Sequence, residues 1–406
     1  MIKNQKLKVL YVLIVALFSI DFYQPYFLEG QYYKYIWFLF LFSAVIISIP
    51  YFFKEKGGFT LPLRLIIIGI VISMFMAFFS WGQSFSDSII ATVPYMLWIF
   101  FFYLLESHLS AQSIEKIMIL LGLIGILIFI SQYISYPAIY FGWVEDFKNE
   151  RGTIRIGVSG FVYLLCFIAL NKFTVKGRVR FLWGIIAAAG IIIPFLQATR
   201  QYIGAMLLIY IYHFIKAQKL YKKIIILIIT AFAIVYVANT NIPIVRGIEN
   251  VQENTMQLGT NYIRLLAGQF FLTNFSPNIE SRILGNGFPY GKSSLGRYEE
   301  YLKSSHYFFL SDLGIIAVYV MFGIIAVLGY ILIWVKSFTI QLPREYYYLK
   351  YYLWFLLISS LTSWAVYHYS FLVASVLTLY IYQDVSNIEN NKSNILMTYK
   401  VQQHKS

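Results

Sequence analysis

The sequence predicts an all-α polytopic membrane protein, and three observations lead to this class. Of the 406 residues, 59% are hydrophobic and 12% are charged, whereas a soluble domain carries about 25% charged residues. Apolar runs close to the roughly 20 residues that a spanning helix needs recur along most of the chain. The 35 Tyr and 36 Phe residues suit a protein that lines two membrane interfaces. The net charge of +14 therefore indicates basic cytoplasmic loops and not a nucleic-acid partner.

Hydrophobicity predicts about twelve spans, which form one transmembrane domain over residues 1–383. The spans lie near 7–27, 34–53, 63–81, 88–105, 114–136, 157–171, 181–197, 201–215, 221–239, 307–335, 347–363 and 365–382. The first run lacks a small-residue cleavage site, so it is predicted to be a span and not a cleaved signal peptide. The tail over 384–406 is polar and rich in Asn, and it is predicted to be cytoplasmic and disordered.

The distribution of Lys and Arg predicts the orientation. If the N-terminus lies inside, most Lys and Arg residues fall in the inner connections and the tail. The short outer connections then hold only Lys34, Lys148, Arg151, Arg155 and Arg200. Since basic residues in short loops favour the cytoplasmic side, both termini are predicted to be cytoplasmic.

One long polar interval over about 239–306 is predicted to lie outside the membrane. Within it, Thr260–Phe275 is predicted to be helical, with Thr260 or Asn261 as the N-cap. The helix is apolar almost all round except for Asn261, Arg264 and Gly268 on one narrow side. Such a helix is expected to be buried in the membrane surface against other spans, with Arg264 directed at a specific partner. The alternative is that Arg264 pairs with a nearby carboxylate in a purely structural role.

A tight outer hairpin over 197–201 carries Arg200. An interfacial arginine commonly extends its side chain to lipid headgroups, and this is the simpler interpretation. The bias against outer basic residues disfavours an arginine here, so a local anionic partner is a reasonable hypothesis. A planar guanidinium is suited to bidentate contact with phosphate.

Further candidates follow in the long interval and beyond it. The glycines of the segment 284–288 (Leu-Gly-Asn-Gly-Phe) allow a sharp turn. His306 and His368 are the two outer histidines, and a general base needs a pKa near neutrality. Asp312 is predicted to lie within a span, where acidic residues are functional candidates. His368, Asp312 and Arg282 are kept as secondary candidates.

The outer loop over 143–157 contributes Arg155 as a third cation. The same loop contains Glu145 and Asp146, adjacent carboxylates that can hold a divalent metal, although a solvated mixed-charge loop is favoured. The sequence contains no Asp-x-Asp motif, no His-Glu-x-x-His motif and no Gly-rich phosphate loop.

The order of these motifs resembles the O-antigen ligase and polymerase superfamily over about 150–320. The matching elements are Arg155-Ile156-Gly157, Thr199-Arg200, the helix that carries Arg264, Leu284-Gly285-Asn286-Gly287-Phe288, and His306-Tyr307-Phe308-Phe309-Leu310 followed by Leu313-Gly314. The sequence departs from the family at Ala198-Thr199, where serines are usual, and at Tyr307, where Asn usually follows the His. Arg155-Ile156-Gly157 resembles the family's Arg-x-x-Gly element with altered spacing.

The resemblance implies a membrane glycosyltransferase of the Wzy type, an O-antigen or capsular polysaccharide polymerase with a GT-C-like architecture. Such an enzyme transfers glycan from an undecaprenyl-pyrophosphate carrier to an incoming lipid-linked repeat unit. The resemblance implies no cofactor and no metal. It assigns pyrophosphate binding to Arg200, Arg264 and Arg155, and activation of the acceptor hydroxyl to His306.

The implied location is the bacterial plasma (inner) membrane, with the active site facing the periplasm or exterior. The implied partners are the carrier-linked oligosaccharide, membrane lipid and a chain-length regulator protein, and they include no nucleic acid. Elementary chemistry agrees with the assignment of cations, because charge develops on the leaving pyrophosphate and preorganised cations stabilise it.

Three alternatives stay open at this point. The chain can be an O-antigen ligase that transfers glycan to another acceptor. A lipid-linked oligosaccharide flippase or transporter also fits about twelve spans, although its cations are expected within the spans and not in loops. A metal-dependent glycosyltransferase that uses Glu145 and Asp146 is the third alternative.

Overall fold

A computed structural model of the protein describes residues 2–28, 31–54, 57–174, 180–216, 242–259 and 262–403. The described residues are mostly helical, with one two-stranded antiparallel hairpin. The first half contains α1 (Ile2–Phe18), α2 (Gln31–Phe52), α3 (Thr60–Trp81), α4 (Phe85–Thr92), α5 (Phe100–Ser107), α6 (Ala111–Ser135), β1 (Val144–Phe147), α7 (Lys148–Arg151), β2 (Thr153–Ile156) and α8 (Gly160–Thr174). The second half contains α9 (Arg180–Leu196), α10 (Arg200–Lys216), α11 (Pro243–Leu258), α12 (Ile263–Thr273), α13 (Ile279–Leu284), α14 (Ser294–His306), α15 (Ile315–Thr339), α16 (Tyr347–Ser359) and α17 (Tyr369–Gln403).

Several of the described helices can cross a membrane by length and composition. Five of them qualify, namely α2 from Lys34, α3, α6, α15 and α17 as far as Ile388. The adjacent pair Phe85–Thr92 and Tyr95–Ser107 qualifies together, with a bend of 59° between the two. The chain is therefore a mostly helical protein with multiple candidate spans, as the sequence predicts.

Some predicted spans differ from the observed helices. The predicted span 88–105 bends near Pro94, where proline lacks the N–H that a continuous helix needs. The predicted span 307–335 starts only at Ile315, and Gly323 breaks it again with φ 76° and ψ 179°. The predicted span 221–239 lies outside the described residues.

The polar tail also differs from the expectation of disorder. Helix α17 continues without interruption from Tyr369 to Gln403, so the tail that begins at residue 384 is helical over most of its length. Composition alone did not predict this, because the polar residues extend a helix that its buried apolar part has already nucleated.

Helix α8 is the centre of the bundle, since every residue from Gly160 to Asn171 is buried. Glycines on the neighbouring helices allow close approach to it: a Cβ on Gly122 would lie 2.5 Å from the Cβ of Leu165, and a Cβ on Gly190 would lie 2.9 Å from the Cβ of Cys166. Small residues at such crossings are the usual way for apolar helices to pack without a polar contact.

Helices α3 and α15 run antiparallel in close contact. Gly69 of α3 meets Ala326, and Gly329 of α15 meets Ile66, at distances that leave no room for a Cβ on either glycine. This contact places the start of α3 beside the end of α15. It also places the end of α3 beside the segment that precedes α15 in the chain.

Polar contacts gather at the two ends of the helical bundle. At one end, connections that the sequence predicts to be cytoplasmic contact each other. These contacts are Lys54–Glu106 at 2.9 Å, Lys336 Nζ to the Gly58 carbonyl at 2.6 Å, Phe59 N–H to Gln383 Oε1 at 2.8 Å, and Lys172–Glu115. The connections predicted to lie outside meet at the opposite end, and they carry the candidate site residues.

Candidate functional site

The predicted hairpin at Arg200 is present between α9 and α10. Ala198 has a positive φ of 50°, and the Thr199 N–H donates to the Pro194 carbonyl at 2.9 Å. The turn therefore reverses the chain within three residues and places Arg200 at the first position of α10. The guanidinium is partly exposed, and no hydrogen bond or ion pair joins it to the described part of the chain.

The β-hairpin packs against this turn. Gln197 Nε2 donates to the Ile156 carbonyl at 2.9 Å, and the Thr153 hydroxyl donates to the Leu196 carbonyl. Both contacts flank Arg155, whose guanidinium carbon lies 4.8 Å from the centre of the Phe147 ring. The elements that carry Arg155 and Arg200 are thus in direct contact. The short sheet itself departs from the all-α expectation.

The turn between α16 and α17 joins the Arg200 hairpin from another side. Gln201 Nε2 donates to the Thr362 carbonyl at 3.3 Å, and the Thr362 hydroxyl donates to Gln201 Oε1 at 3.1 Å. The hydroxyls of Tyr202 and Ser363 lie 2.7 Å apart. The same turn also accepts the start of α15, because the Ile315 N–H donates to the Ser360 carbonyl at 2.8 Å.

Arg264 and Asp312 form an ion pair next to the start of α15. Arg264 Nε lies 3.0 Å from Asp312 Oδ2, with 24% and 43% of the two side chains exposed. Neither terminal guanidinium nitrogen donates to a described residue, so both can face a ligand. Asp312 does not lie within a span as predicted. It ends the short turn Leu310–Asp312, because α15 begins only after Gly314.

The helix that carries Arg264 is shorter than predicted. It begins at Ile263 with Tyr262 as the N-cap and ends at Thr273, and residues 260 and 261 lie outside the described part of the chain. Its buried side is formed by Ala267, Gly268 and Phe271. The predicted helix is therefore present. Arg264 lies on the same side of it as Ala267, Gly268 and Phe271, and the carboxylate pairing weighed as an alternative is present.

His306 is the exposed last residue of α14, so the chain does not enter a span directly after it. Its ring packs against Tyr301 and Phe308 at centroid distances of 5.4 and 5.6 Å. Phe308 in turn contacts Phe270 of α12 at 5.6 Å. The histidine is thereby connected to the helix of Arg264, while no hydrogen bond within the described ranges joins it to that arginine or to Arg200.

His368 lies in a different environment, since only 6% of it is exposed. Its ring stacks on Phe22 at 5.5 Å and contacts Trp364 at 4.2 Å. Asp21 accepts a hydrogen bond from the Tyr369 hydroxyl at 2.7 Å. Sequence reasoning did not single out Asp21, because a lone acidic residue after the first helix carries no motif.

Arg282 has a local role in the structure. It lies in α13 and donates through Nη2 to the carbonyl of Thr273, the last residue of α12. This contact ties α12 to α13 within the outer segment, by which we mean residues 262–306, predicted from the sequence to lie outside the membrane. Arg282 was a secondary candidate for the site, and its observed contact is with the backbone.

The carboxylates of the outer hairpin are engaged by the protein. The Tyr136 hydroxyl donates to Asp146 at 2.5 Å, and the Lys148 N–H donates to the same carboxylate at 2.8 Å. The hydrogen bond from Tyr136 lowers the pKa of Asp146. Within the described ranges, no group of three or more His, Cys, Asp or Glu residues is arranged to hold a metal ion.

The predicted sharp turn at 284–288 is present and has more contacts than its glycines suggest. Gly285 and Gly287 have φ values of 94° and 81°. Between them, Asn286 is 1% exposed and accepts a hydrogen bond from Trp81 Nε1 at 2.9 Å. The two glycines were the only available signal for this buried amide.

Neither a family model nor a curated protein matches this chain. Any function assigned to this end of the bundle therefore rests on its residues and their arrangement.

Proposed function

We propose that the chain is a membrane glycosyltransferase that polymerises a lipid-linked polysaccharide. It would transfer glycan from an undecaprenyl-pyrophosphate carrier to an incoming lipid-linked repeat unit. The observation that carries the proposal is the meeting of three arginine-bearing elements at one end of the bundle. A hydrogen bond from Gln197 to Ile156 joins the elements of Arg200 and Arg155. Gln201 joins the Arg200 hairpin to the turn between α16 and α17, and the Ser360 carbonyl of that turn accepts from the start of α15, beside the Arg264–Asp312 pair.

The cations account for the departure of the carrier. When the bond between the anomeric carbon and the pyrophosphate oxygen breaks, the electron pair moves to the leaving pyrophosphate. Arg200 and the terminal nitrogens of Arg264 would bind that anion through bidentate hydrogen bonds, with Arg155 assisting. Donors that are held in place before the reaction stabilise developing charge without reorganising, which lowers the barrier.

The second half of the reaction needs a base for the acceptor sugar. His306 would accept the proton of the acceptor hydroxyl while its oxygen forms the new bond to the anomeric carbon. Attack on the face opposite the departing pyrophosphate inverts the anomeric configuration. The exposure of His306 at the end of α14 leaves its ring accessible to an incoming sugar.

The proposal includes the finer architecture and the setting. About twelve spans with a GT-C-like arrangement would place the arginine elements on the periplasmic or outer face of a bacterial plasma membrane. Both termini would be cytoplasmic. Membrane lipid, the carrier-linked oligosaccharide and a chain-length regulator protein would be its partners.

The test is extension of a purified lipid-linked repeat unit by the purified protein, with and without a chelator. We expect a ladder of products that resists the chelator. Arg200→Ala, Arg264→Ala and His306→Ala are each expected to reduce it to single repeat units. Arg297→Ala is the matched control, since Arg297 is an exposed cation of the same outer segment. Normal ladders from folded Arg264→Ala and His306→Ala protein would contradict the mechanism.

Other outcomes of the same assay identify the alternatives. Transfer to a different acceptor without a ladder would indicate a ligase, and loss of activity in the chelator would indicate a metal-dependent enzyme. A larger loss in His368→Ala than in His306→Ala would assign the base to His368. Movement of the lipid-linked unit across vesicles without new glycosidic bonds would indicate a flippase.

A further inference from the structure

Helix α15 is broken at Gly323, and the break receives another part of the chain. Gly323 has φ 76° and ψ 179°, a backbone conformation that residues other than glycine rarely adopt. A Cβ at this position would lie 2.3 Å from the carbonyl carbon of Leu284. A helical break interrupts the hydrogen bonds of the preceding turn, so its carbonyls need other donors.

The segment after α13 supplies those donors. The Asn286 N–H donates to the Val320 carbonyl, and the Gly287 N–H donates to the Met321 carbonyl, both at 2.9 Å. Gly285 approaches so closely that a Cβ on it would lie 2.6 Å from the Met321 carbonyl oxygen. The outer segment therefore completes the backbone hydrogen bonding of α15 instead of only resting on its surface.

The side chain of Asn286 extends this attachment to two further elements. Its Nδ2 donates to the Val320 carbonyl and to the Ser276 hydroxyl, each at 2.9 Å. Its Oδ1 accepts from Trp81 Nε1 at 2.9 Å. Both amide donors are used and the oxygen is engaged, so the orientation of the amide is fixed by its partners.

The partners of Asn286 lie in or beside the elements that carry the candidate site, except Trp81, which is the last residue of α3 and contacts those elements through its ring. Ser276 follows α12, the helix of Arg264. Trp81 packs its ring on Phe275 at 5.3 Å and on Tyr298 of α14 at 5.5 Å, and α14 ends at His306. Val320 lies in α15, which begins three residues after Asp312.

From this arrangement we infer that Asn286 is a positioning residue that fixes α12, α14 and α15 relative to one another. It touches none of the proposed reacting groups. It acts through the helices that hold Arg264, His306 and Asp312. The catalytic consequence rests on the proposed function, whereas the fixed spacing of the three helices does not.

The distance between α12 and α14 is measured directly with two spin labels. The labels are attached at exposed sites, Gln269→Cys on α12 and Glu300→Cys on α14, in a Cys166→Ser background. We expect one narrow distance distribution in this protein. Asn286→Ala should broaden or shift it, and Ser276→Ala, which removes one acceptor, should do so to a smaller extent. Asn274→Ala is the matched control, because Asn274 is exposed in the same segment.

Activity on the lipid-linked repeat unit provides the second measurement. Asn286→Ala is expected to lower kcat on the order of 10- to 100-fold, with a smaller change in donor KM, because displacement by about 1 Å has effects of this size. Asn274→Ala should match the wild-type protein in both constants.

The outcomes separate the two proposals. Unchanged distances in both Asn286→Ala and Ser276→Ala would overturn the positioning role, and so would equal broadening in Asn274→Ala. If Asn286→Ala broadens the distance distribution but leaves kcat unchanged in an active enzyme, the link between Asn286 and catalysis is overturned. If Asn286→Ala does not fold, the Ser276→Ala distances decide. A wild-type protein that forms no glycosidic bond contradicts the proposed function, while the distances still test the spacing.

Discussion

At the scale of single residues, the Arg264–Asp312 pair has a functional and a structural interpretation. The pair is partly exposed, at 24% and 43%, and such pairs contribute at most about 1 kcal/mol to stability. A role in fold stability is therefore small. The pair has a larger effect on the orientation of Arg264. Because Asp312 accepts from Nε, it holds the planar guanidinium in place and leaves the two terminal nitrogens directed away from the carboxylate.

We predict that Asp312→Ala leaves the melting temperature nearly unchanged but reduces transfer on the order of tenfold, since the guanidinium loses its orientation. Arg264→Lys is expected to resemble Arg264→Ala more than the wild-type protein, because an ammonium cannot contact a carboxylate and a phosphate through a planar fork. Thermal unfolding and initial transfer rates are the measurements. A drop in melting temperature without a change in rate would assign the pair to the fold.

The sequence allowed both interpretations of Arg264 but not a choice between them. The apolar periodicity predicted the helix, and the arginine on it was evident from the sequence. Its partner Asp312 could not be identified in this way, because it lies 48 residues away along the chain. The same limit applies to Asn286, whose bond to Trp81 spans 205 positions. Contacts of this length depend on how helices pack, and packing leaves no periodic signal in one sequence.

At the scale of elements, the backbone conformation of a glycine distinguishes a helix break from a regular helical position. Gly323 and Gly204 both lie within predicted spans, 307–335 and 201–215, so the sequence did not distinguish their backbone conformations. Gly323 has a positive φ and backbone atoms of Leu284 against it, while Gly204 has no atom within 4 Å of a Cβ. The prediction of a continuous span over 307–335 was wrong at its start and at Gly323. Apolar composition indicates which segments avoid water, but it carries no information on the backbone angles of single residues.

We predict that Gly323→Ala destabilises the protein by about 2–3 kcal/mol, since alanine is strained at this φ and its Cβ collides with the Leu284 backbone. Gly204→Ala is expected to be neutral or to stabilise by up to about 1 kcal/mol, as alanine favours helix. Melting temperatures of the two purified variants, compared with the wild-type protein, provide the measurement. Equal stability of both variants would contradict a fixed break in α15.

At the scale of the whole molecule, connections that the sequence predicts to lie on the same side of the membrane contact one another at the same end of the bundle. Connections assigned to the cytoplasm by their basic residues contact one another at one end, as Lys336 does with Gly58. Connections assigned to the outside meet at the other end, as Gln201 does with Thr362. The grouping comes from tertiary contacts and the assignment comes from charge, so the two lines of reasoning are independent.

The orientation that follows is testable by labelling with a membrane-impermeant maleimide. We predict that Gly291→Cys reacts in intact cells, because Gly291 is exposed in the outer segment, whereas Gln341→Cys, exposed between α15 and α16, reacts only after permeabilisation. The wild-type protein is the background control, since Cys166 is 0% exposed and should stay unlabelled. The reverse pattern would place the arginine elements in the cytoplasm, away from carrier-linked repeat units outside, and would contradict the proposed polymerase together with the orientation.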